Sequence, residues 1–298
     1  MSAPPGAPLR APVWAVDGAG NRFALVDLLD AGGVFDRAVA SARRNADALT
    51  NVERGRTEDG LLLVGPGRDA DGASATMVVV NRDGSRPEMC GNGLRCVAVH
   101  VGRRIGACEG VIATDAGPRA FEVLWDDGRA ARVRVTMGEA RAAGEARPAA
   151  APGRTFHRVD VGNPHAVCIV GTDEDPVELA RRLGPAVEID AAFAPERTTV
   201  GFLRRRPHDP DANALELAVW ERGVGLTDAC GTGACAAAFA AVRAGLAAAD
   251  RYVRVHLPGG PLDVRVPGEA GAALSLIGPA HVASSPVPGR LDRAGGHS

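Results

Sequence analysis

Short apolar runs, separated by polar turns rich in glycine and aspartate, recur along almost the whole chain. Runs of this length predict β-strands, beginning with Val13–Val16 and Phe23–Val26 on either side of the turn 17–21. Further strands are predicted at 61–64, 77–80, 111–114, 121–124, 132–135, 156–161, 166–170, 198–203, 215–220, 252–257, 262–266 and 273–277.

Helical spacing of apolar residues is found at fewer places. Residues 36–48 have it, and residues 176–183 begin with a proline in the first turn, where proline is favoured. Two more helices are predicted directly after glycine turns, near residue 91 and over residues 233–247. Strands clustered around few helices, without strict strand–helix alternation, indicate an α+β fold.

The two glycine turns resemble each other. The first is Cys90-Gly-Asn-Gly-Leu-Arg-Cys96 and the second is Cys230-Gly-Thr-Gly-Ala-Cys235, about 140 residues further on, which is the length of one ordinary domain. We therefore expect two pseudo-symmetric domains, each a mostly antiparallel sheet around a central helix. The expected domains are 13–137 and 154–272, with 138–153 as the linker and the final strands, 273–283, packing back on the first domain.

Charge and composition favour a small-molecule partner. The chain has 298 residues, a formal net charge of −2 and 46% hydrophobic residues, so nothing attracts it to nucleic acid or to an anionic membrane. It has no apolar run of membrane-spanning length and no signal-peptide core near residue 1, and we expect a cytoplasmic location. Residues 1–12 and 284–298 are predicted to be disordered tails.

All 34 basic residues of the Lys+Arg count are arginine. Pyridoxal phosphate is held as a Schiff base on lysine, so this cofactor has no attachment point. The cysteine spacings also differ from the close pairs of structural zinc sites. We expect no cofactor and no metal, with the six cysteines reduced.

A cysteine at a helix N-terminus is suited to acid–base chemistry. The helix dipole and the amides of the glycine turn favour the thiolate, and the same amides attract a substrate carboxylate. If one substrate carbon lies between Cys90 and Cys230, one thiolate can remove a proton while the opposite thiol delivers another, which inverts the stereocentre. A phosphate-binding loop is an alternative, but the lysine of a P-loop is missing.

The other cysteines are interpreted as small buried residues, since none begins a glycine turn. Glu221 and Arg222 stand close before Cys230 and are candidate partners for a substrate ammonium and a distant carboxylate, although a solvated ion pair is the common alternative. Asn163 and His165 flank a proline in the same half, and Asn21 ends the turn 17–21. A structural histidine and a turn-closing asparagine are the corresponding alternatives.

Six motifs in this order resemble the diaminopimelate epimerase family over residues 13–283. They are Gly20-Asn21-x-Phe23, Asn81-x-Asp-Gly-Ser85, Met89-Cys-Gly-Asn-Gly-x-Arg-Cys96, Gly162-Asn-Pro-His165, Glu221-Arg-Gly223 and Ala229-Cys-Gly-Thr-Gly-Ala-Cys235. The resemblance implies a cofactor-independent enzyme that interconverts LL- and meso-diaminopimelate, for lysine and peptidoglycan synthesis. It also implies two pseudo-symmetric domains with the site between them, and a homodimer as the candidate assembly.

Site residues are carried over by position in these motifs. The resemblance makes Cys90 and Cys230 the two acid–base thiols, with His165 and Glu221 assisting. The substrate-binding residues that it implies are Asn21, Asn81, Gly91, Asn92, Asn163, Glu221, Arg222, Gly231 and Thr232.

Five positions depart from the usual pattern of that family. They are Asp17, Arg22, Gly60, Thr199 and Ala283. Thr199 falls where the family has an asparagine that contacts the distal end of the substrate, and Ala283 falls in a region of dimer contact. Two alternatives therefore stay open, namely a racemase or epimerase of the same fold acting on another amino acid, such as histidine or a proline derivative, and a binding or redox-sensing protein whose cysteines form a disulfide.

Overall fold

The computed structural model describes residues 11–52, 56–206 and 213–287. The tails predicted to be disordered therefore fall mostly outside the described residues. Two compact units emerge, one containing the chain up to Val133 together with the segment from Pro279 onward, the other containing Arg134–Gly278. In the part of the chain described, no helix combines the length and apolarity needed to cross a membrane.

The first unit alternates strand pairs with helices. Its elements are β1 (Val13–Gly18), β2 (Asn21–Asp27), α1 (Phe35–Arg44), α2 (Ala46–Thr50), β3 (Asn51–Val52), β4 (Arg56–Thr57), β5 (Gly60–Pro66), β6 (Ala75–Asn81), α3 (Gly91–Ile105), β7 (Glu109–Thr114), β8 (Gly117–Asp126) and the start of β9 (Ala130–Glu139).

The second unit follows the same plan. Its elements are the rest of β9, then β10 (Arg141–Ala146), β11 (Phe156–Asp160), β12 (Pro164–Ile169), α4 (Pro176–Glu188), β13 (Thr199–Arg205), β14 (Ala214–Glu221), β15 (Gly225–Thr227), α5 (Gly231–Arg243), β16 (Tyr252–Leu257), β17 (Gly260–Arg265) and β18 (Ala273–Val282), whose end returns to the first unit.

Strand pairing repeats between the units. In the first, β1–β2 is antiparallel, β2–β5 parallel, β5–β6 antiparallel, β6–β7 parallel and β7–β8 antiparallel. In the second, β11–β12, β12–β13, β13–β14, β14–β16 and β16–β17 follow the same alternation. The cysteine helices α3 and α5 occupy equivalent places, each between an antiparallel pair and the parallel strand that follows. The two domains are therefore related by an internal repeat of strand order, which confirms the predicted α+β class.

Each cysteine helix lies against the strands of its own unit. Helix α3 packs on β1, β2, β5, β6, β7 and β8, and α5 packs on β11, β12, β13, β14, β16 and β17. Residues 91–102 of α3 are all buried, as expected of a helix surrounded by sheet. Helix α5 is made mainly of alanine and glycine, so neighbouring strands approach its backbone closely.

A strand lies within the predicted linker 138–153. Residues 141–146 form β10, which pairs antiparallel with β11 from Arg141↔Asp160 to Ala146↔Phe156. Alanine and glycine are weak strand formers, but backbone pairing at a sheet edge does not need large side chains. Composition therefore suggested a loop where a ladder of backbone hydrogen bonds is formed.

Three helix predictions also differ from the structure. Helix α4 continues to Glu188, five residues beyond its predicted end. The predicted helix 36–48 is two helices, because Asn45 leaves the helical conformation and its side-chain amide donates to Ser41 O at 2.9 Å. The second cysteine helix begins at Gly231 and ends at Arg243, earlier at both ends than predicted. The short strand β15 was not predicted, and it pairs with the end of β14.

Candidate active site

Cys90 and Cys230 have matching local structures. Each is the N-cap residue of its helix, with φ and ψ of −135° and 112° for Cys90 and −131° and 110° for Cys230. Cys90 Sγ accepts a hydrogen bond from Gly93 N at 3.4 Å, and Cys230 Sγ accepts one from Gly233 N at 3.3 Å. Both sulfurs are thus held at the positive end of a helix dipole by a backbone donor.

Two glycines of these turns are explained by packing. A Cβ on Gly93 would lie 2.6 Å from Leu62 Cδ2, and a Cβ on Gly233 would lie 3.2 Å from Cys230 Sγ. The close neighbours of these two glycines are therefore the core side chains of Leu62 and Val219 and, for Gly233, Cys230 itself. Glycine at these positions lets the helix start close to the sheet and to the sulfur.

Asn92 is the centre of a hydrogen-bonded cluster in the first unit. Its Nδ2 donates to Asn21 Oδ1, and its Oδ1 accepts from Arg95 Nη2 at 2.8 Å. Asn92 is only 1% exposed. The turn 18–21 also approaches closely, since a Cβ on Gly18 would lie 2.5 Å from Asn92 O. Two candidate binding residues, Asn21 and Asn92, are therefore brought together.

Arg95 was not singled out by the sequence reasoning, although it stands inside the first cysteine motif. Its side chain is completely buried. Besides Asn92, the guanidinium donates to Gly91 O at 3.1 Å and to Pro279 O at 3.0 Å. It therefore joins the first turn of α3 to the returning strand β18. The signal for this role was an arginine between apolar residues, directly after Leu94 and before Cys96.

Strand register explains the position of Asn81. Phe23 pairs with Gly60 across β2–β5, and Gly60 pairs with Asn81 across β5–β6, so the start of β2, the start of β5 and the end of β6 lie at one sheet edge. Asn81 Nδ2 donates to Ser85 Oγ at 2.9 Å. The sheet thus places Asn81 at the same edge as the start of β2, where Asn21 stands.

The second unit has the equivalent edge. His165 pairs with Thr199 across the parallel strands β12–β13, and β14 ends at Glu221 beside the start of β13. Asn163 precedes β12, and its Oδ1 lies 3.1 Å from His165 Nε2. The structure therefore gathers Asn163, His165 and Glu221 at one end of this sheet, with Thr199 among them.

Glu221 and Arg222 are oriented by neighbouring groups. Thr227 Oγ1 donates to Glu221 Oε1 at 2.6 Å. Arg222 N donates to Thr199 Oγ1 at 3.2 Å, and Arg222 Nη1 donates to Glu196 O at 2.7 Å. Thr232 Oγ1 lies 3.5 Å from Cys230 Sγ, which adds a hydroxyl beside the second thiol.

His165 is a neutral residue in this setting. It is 3% exposed, and burial, with a smaller contribution from the charge of Arg222, lowers its pKa to about 3. Desolvation disfavours the imidazolium form. At neutral pH the ring can hydrogen-bond to Asn163 as an uncharged group, but it carries no positive charge toward a substrate.

The low pKa of His165 predicts a pH-dependent stability. In the unfolded chain imidazole titrates near 6.5, so as pH falls the unfolded state binds the proton first. The stabilisation is complete above about pH 6.5 and is lost progressively toward pH 3, where the folded group titrates. Urea unfolding of His165→Gln should show a flatter dependence of free energy on pH between 6.5 and 4 than the unaltered protein.

His157→Gln is the matched control, since His157 lies on β11 of the same unit with a third of its side chain exposed. This variant should keep the full pH dependence. A His165→Gln protein whose slope equals that of the unaltered protein would contradict the assignment of a buried neutral ring.

The remaining cysteines differ in position from the N-cap cysteines Cys90 and Cys230. Cys96 and Cys235 are fully buried inside α3 and α5, and burial raises the pKa of the Cys96 thiol to about 12. Burial also raises the pKa of Cys168, although Arg154 opposes the shift. Cys108 is exposed. Within the described ranges, no group of three or more metal-binding side chains is found.

Three of the departures from the family pattern line one open cavity of about 440 Å³ in the first unit. They are Asp17, Arg22 and Ala283. Glycine at position 60 is explained by the neighbouring backbone, since a Cβ there would lie 2.7 Å from Val80 O. The hydroxyl of Thr199 is used in the contact with Arg222 N.

Comparison with known proteins agrees with the motifs. The family model for diaminopimelate epimerase matches residues 13–143 and 158–283. Diaminopimelate epimerase from Desulforudis audaxviator is 39% identical over 279 residues, covering 88% of this chain and 94% of that protein. The enzyme of the same name from Sphingopyxis alaskensis is 40% identical over 277 residues, covering 87% and 93%.

Among solved structures, a probable proline racemase from Agrobacterium radiobacter aligns with a TM-score of 0.66. The alignment covers 97% of this chain and 96% of that one at 14% sequence identity. At this identity the likeness concerns the fold.

Proposed function

This chain belongs to the diaminopimelate epimerase family, and we propose that it interconverts LL- and meso-diaminopimelate through two cysteine thiols. The observation that carries the mechanism is the matched pair of N-cap cysteines. Cys90 and Cys230 have nearly the same backbone angles, the same backbone donor at the third following residue, and equivalent places in the repeated strand order.

The reaction needs one base and one acid at the same carbon. A thiolate at one cysteine removes the α-proton, and the resulting carbanion takes a proton from the thiol of the other cysteine on the opposite face. The configuration inverts, and the two sulfurs exchange protonation states. The mechanism requires both sulfurs to reach the same carbon. The two thiols share one labile proton, so an apparent pKa measured during turnover describes the pair and not either cysteine alone.

The backbone turns supply the charge stabilisation. First-turn amides of a helix point away from it and bind anions, so Gly91–Asn92 and Gly231–Thr232 are assigned to the α-carboxylate. Their donors also stabilise the charge that develops on this carboxylate when the proton leaves. No cofactor is assigned to this step.

The rest of the substrate is assigned to the two sheet edges. Glu221 is suited to an ammonium group and Arg222 to a carboxylate, and Asn21, Asn81 and Asn163 offer amide donors and acceptors. His165 is assigned a supporting hydrogen bond as a neutral ring. The domain limits 13–137 and 154–272, the homodimer and the cytoplasmic location stay predictions from the sequence.

Deuterium exchange tests the proposal directly. Purified protein incubated with LL-diaminopimelate in D₂O should form the meso isomer with deuterium at the inverted α-carbon, measured by NMR and chiral chromatography. Histidine and proline, incubated in parallel, should exchange far more slowly. Exchange with one of these and none with diaminopimelate would favour the racemase alternative, and no exchange with any of them would contradict an epimerase.

A further inference from the structure

The loop that carries Glu221 and Arg222 is anchored by a buried acidic residue of another element. Glu188 is the last residue of α4 and is 5% exposed. It stands 33 to 34 positions before the loop in sequence, and no motif pointed to it. A carboxylate buried to this degree is costly unless its oxygens are hydrogen-bonded.

Both oxygens of Glu188 are engaged. Oε2 accepts from Trp220 Nε1 at 2.8 Å, and Oε1 accepts from Gly223 N at 2.8 Å. Arg197 Nη2 donates to Oε1 as well. Trp220 directly precedes Glu221, and Gly223 directly follows Arg222. The carboxylate therefore holds the chain on both sides of Glu221 and Arg222.

Packing of α4 on Trp220 places the Glu188 carboxylate beside the loop. A Cβ on Gly184, one turn before Glu188 in α4, would lie 2.6 Å from Trp220 Cγ, so the helix lies directly on the indole side chain. Gly223 has a positive φ of 78°. A backbone amide in this conformation, held by a charged acceptor, fixes the turn that follows Arg222.

We propose that Glu188 is a positioning residue for substrate binding, which rests on the assignment of Glu221 and Arg222 to the substrate. The carboxylate accepts from Gly223 and Trp220 and thereby holds the loop 221–223 in the conformation that presents the two side chains. None of the hydrogen bonds of Glu188 described above is with Cys90 or Cys230. Its loss therefore affects binding more than the proton-transfer step.

The test compares Glu188→Gln with Glu178→Gln. Glutamine keeps the size of the side chain but removes the negative charge and replaces one acceptor oxygen with an NH₂ donor. Glu178 lies on the same helix and pairs with Arg182 at the surface, so its variant also loses a carboxylate–arginine pair. We expect Glu188→Gln to raise KM for LL-diaminopimelate about tenfold or more, with a smaller fall in kcat, and Glu178→Gln to leave both unchanged.

Hydrogen exchange provides a readout that does not depend on turnover. Peptides covering residues 219–225 should exchange faster in Glu188→Gln than in the unaltered protein or in Glu178→Gln. Trp220→Phe, which removes one donor and keeps an aromatic ring, should give a smaller increase in exchange and in KM. Trp220→Phe replaces Glu188→Gln as the test if Glu188→Gln does not fold.

The outcomes separate this inference from the proposed function. Unchanged exchange at 219–225, or a lower unfolding temperature with unchanged KM, would overturn the positioning role. If the unaltered protein does not turn over diaminopimelate, the proposed function and the substrate role of Glu188 fail together. Faster exchange in the variant would then show only that Glu188 holds the loop.

Discussion

Cys90→Ala and Cys230→Ala are each expected to epimerise LL-diaminopimelate at least about 10³-fold more slowly than the unaltered enzyme. Under the proposed mechanism, each variant keeps the substrate-binding groups but lacks either the base or the acid of the reaction. Positioned acid–base groups contribute roughly 10²–10⁴-fold each, so removing one stops inversion almost completely. The rate of formation of the second stereoisomer, followed by chiral chromatography, measures the effect.

Exchange without inversion makes the test more specific. A variant with one remaining thiol can remove the α-proton from one stereoisomer and return a deuteron to the same face. We therefore expect each alanine variant to exchange deuterium into only one stereoisomer in D₂O, and the two variants to prefer opposite ones. Full epimerisation by either variant, or the same preference in both, would contradict the two-thiol mechanism.

Cys96→Ala and Cys235→Ala are the matched controls. They remove a thiol from the same two helices, at buried positions beyond the first turn. A small loss of stability is expected because each creates a cavity the size of one sulfur atom, while the epimerisation rate should change less than about threefold. A loss comparable to that of the N-cap variants would indicate that general damage to the helices explains the effect.

Arg95→Met is expected to give the largest loss of stability among the changes considered. The substitution keeps an unbranched apolar side chain, but it leaves Gly91 O, Asn92 Oδ1 and Pro279 O without the donor that they have now. Hydrogen bonds to a charged group contribute roughly 1.5–3 kcal/mol each, so the loss of three of them together exceeds what methionine regains by burial. We expect the free energy of unfolding to fall by about 3 kcal/mol, measured by urea denaturation.

The same variant should lose activity, since Gly91 and Asn92 are assigned to the substrate carboxylate. A fall in kcat/KM of about tenfold is expected even at temperatures where the protein is fully folded. Arg104→Met is the control, because Arg104 lies on the same helix with its guanidinium half-exposed and paired with Asp30. An equal loss of stability in the two variants would contradict the role given to Arg95.

Most of the fold was predictable because its strands carry strong local signals. The apolar runs in β5, β6, β12 and β14 are buried on both faces, and glycine and aspartate turns separate most strands. Strand β10 was missed because its alanine, glycine and charged residues show no alternation, and its place depends on pairing with β11. Local sequence contains little information on such a pairing.

The site was predictable in part for a related reason. The cysteines, glycines and asparagines that were named lie within short contiguous motifs. Glu188 and Arg95 act through contacts with residues such as Trp220 and Pro279, which are distant in sequence. Asn21 could be named, but its link to Asn92 depends on the approach of two separate segments.

The order of strands bears on how the protein is made. The first unit contains the chain up to Val133 and the segment from Pro279 onward, and both β1 and Arg95 have partners in that last segment. During synthesis, the N-terminal half therefore lacks the partners of β1 and Arg95 until residues 279–282 have been added. The second unit is one continuous stretch that is synthesised before them. A chain that is cut after residue 278 and released is expected to hold a folded second unit and an incomplete first turn of α3.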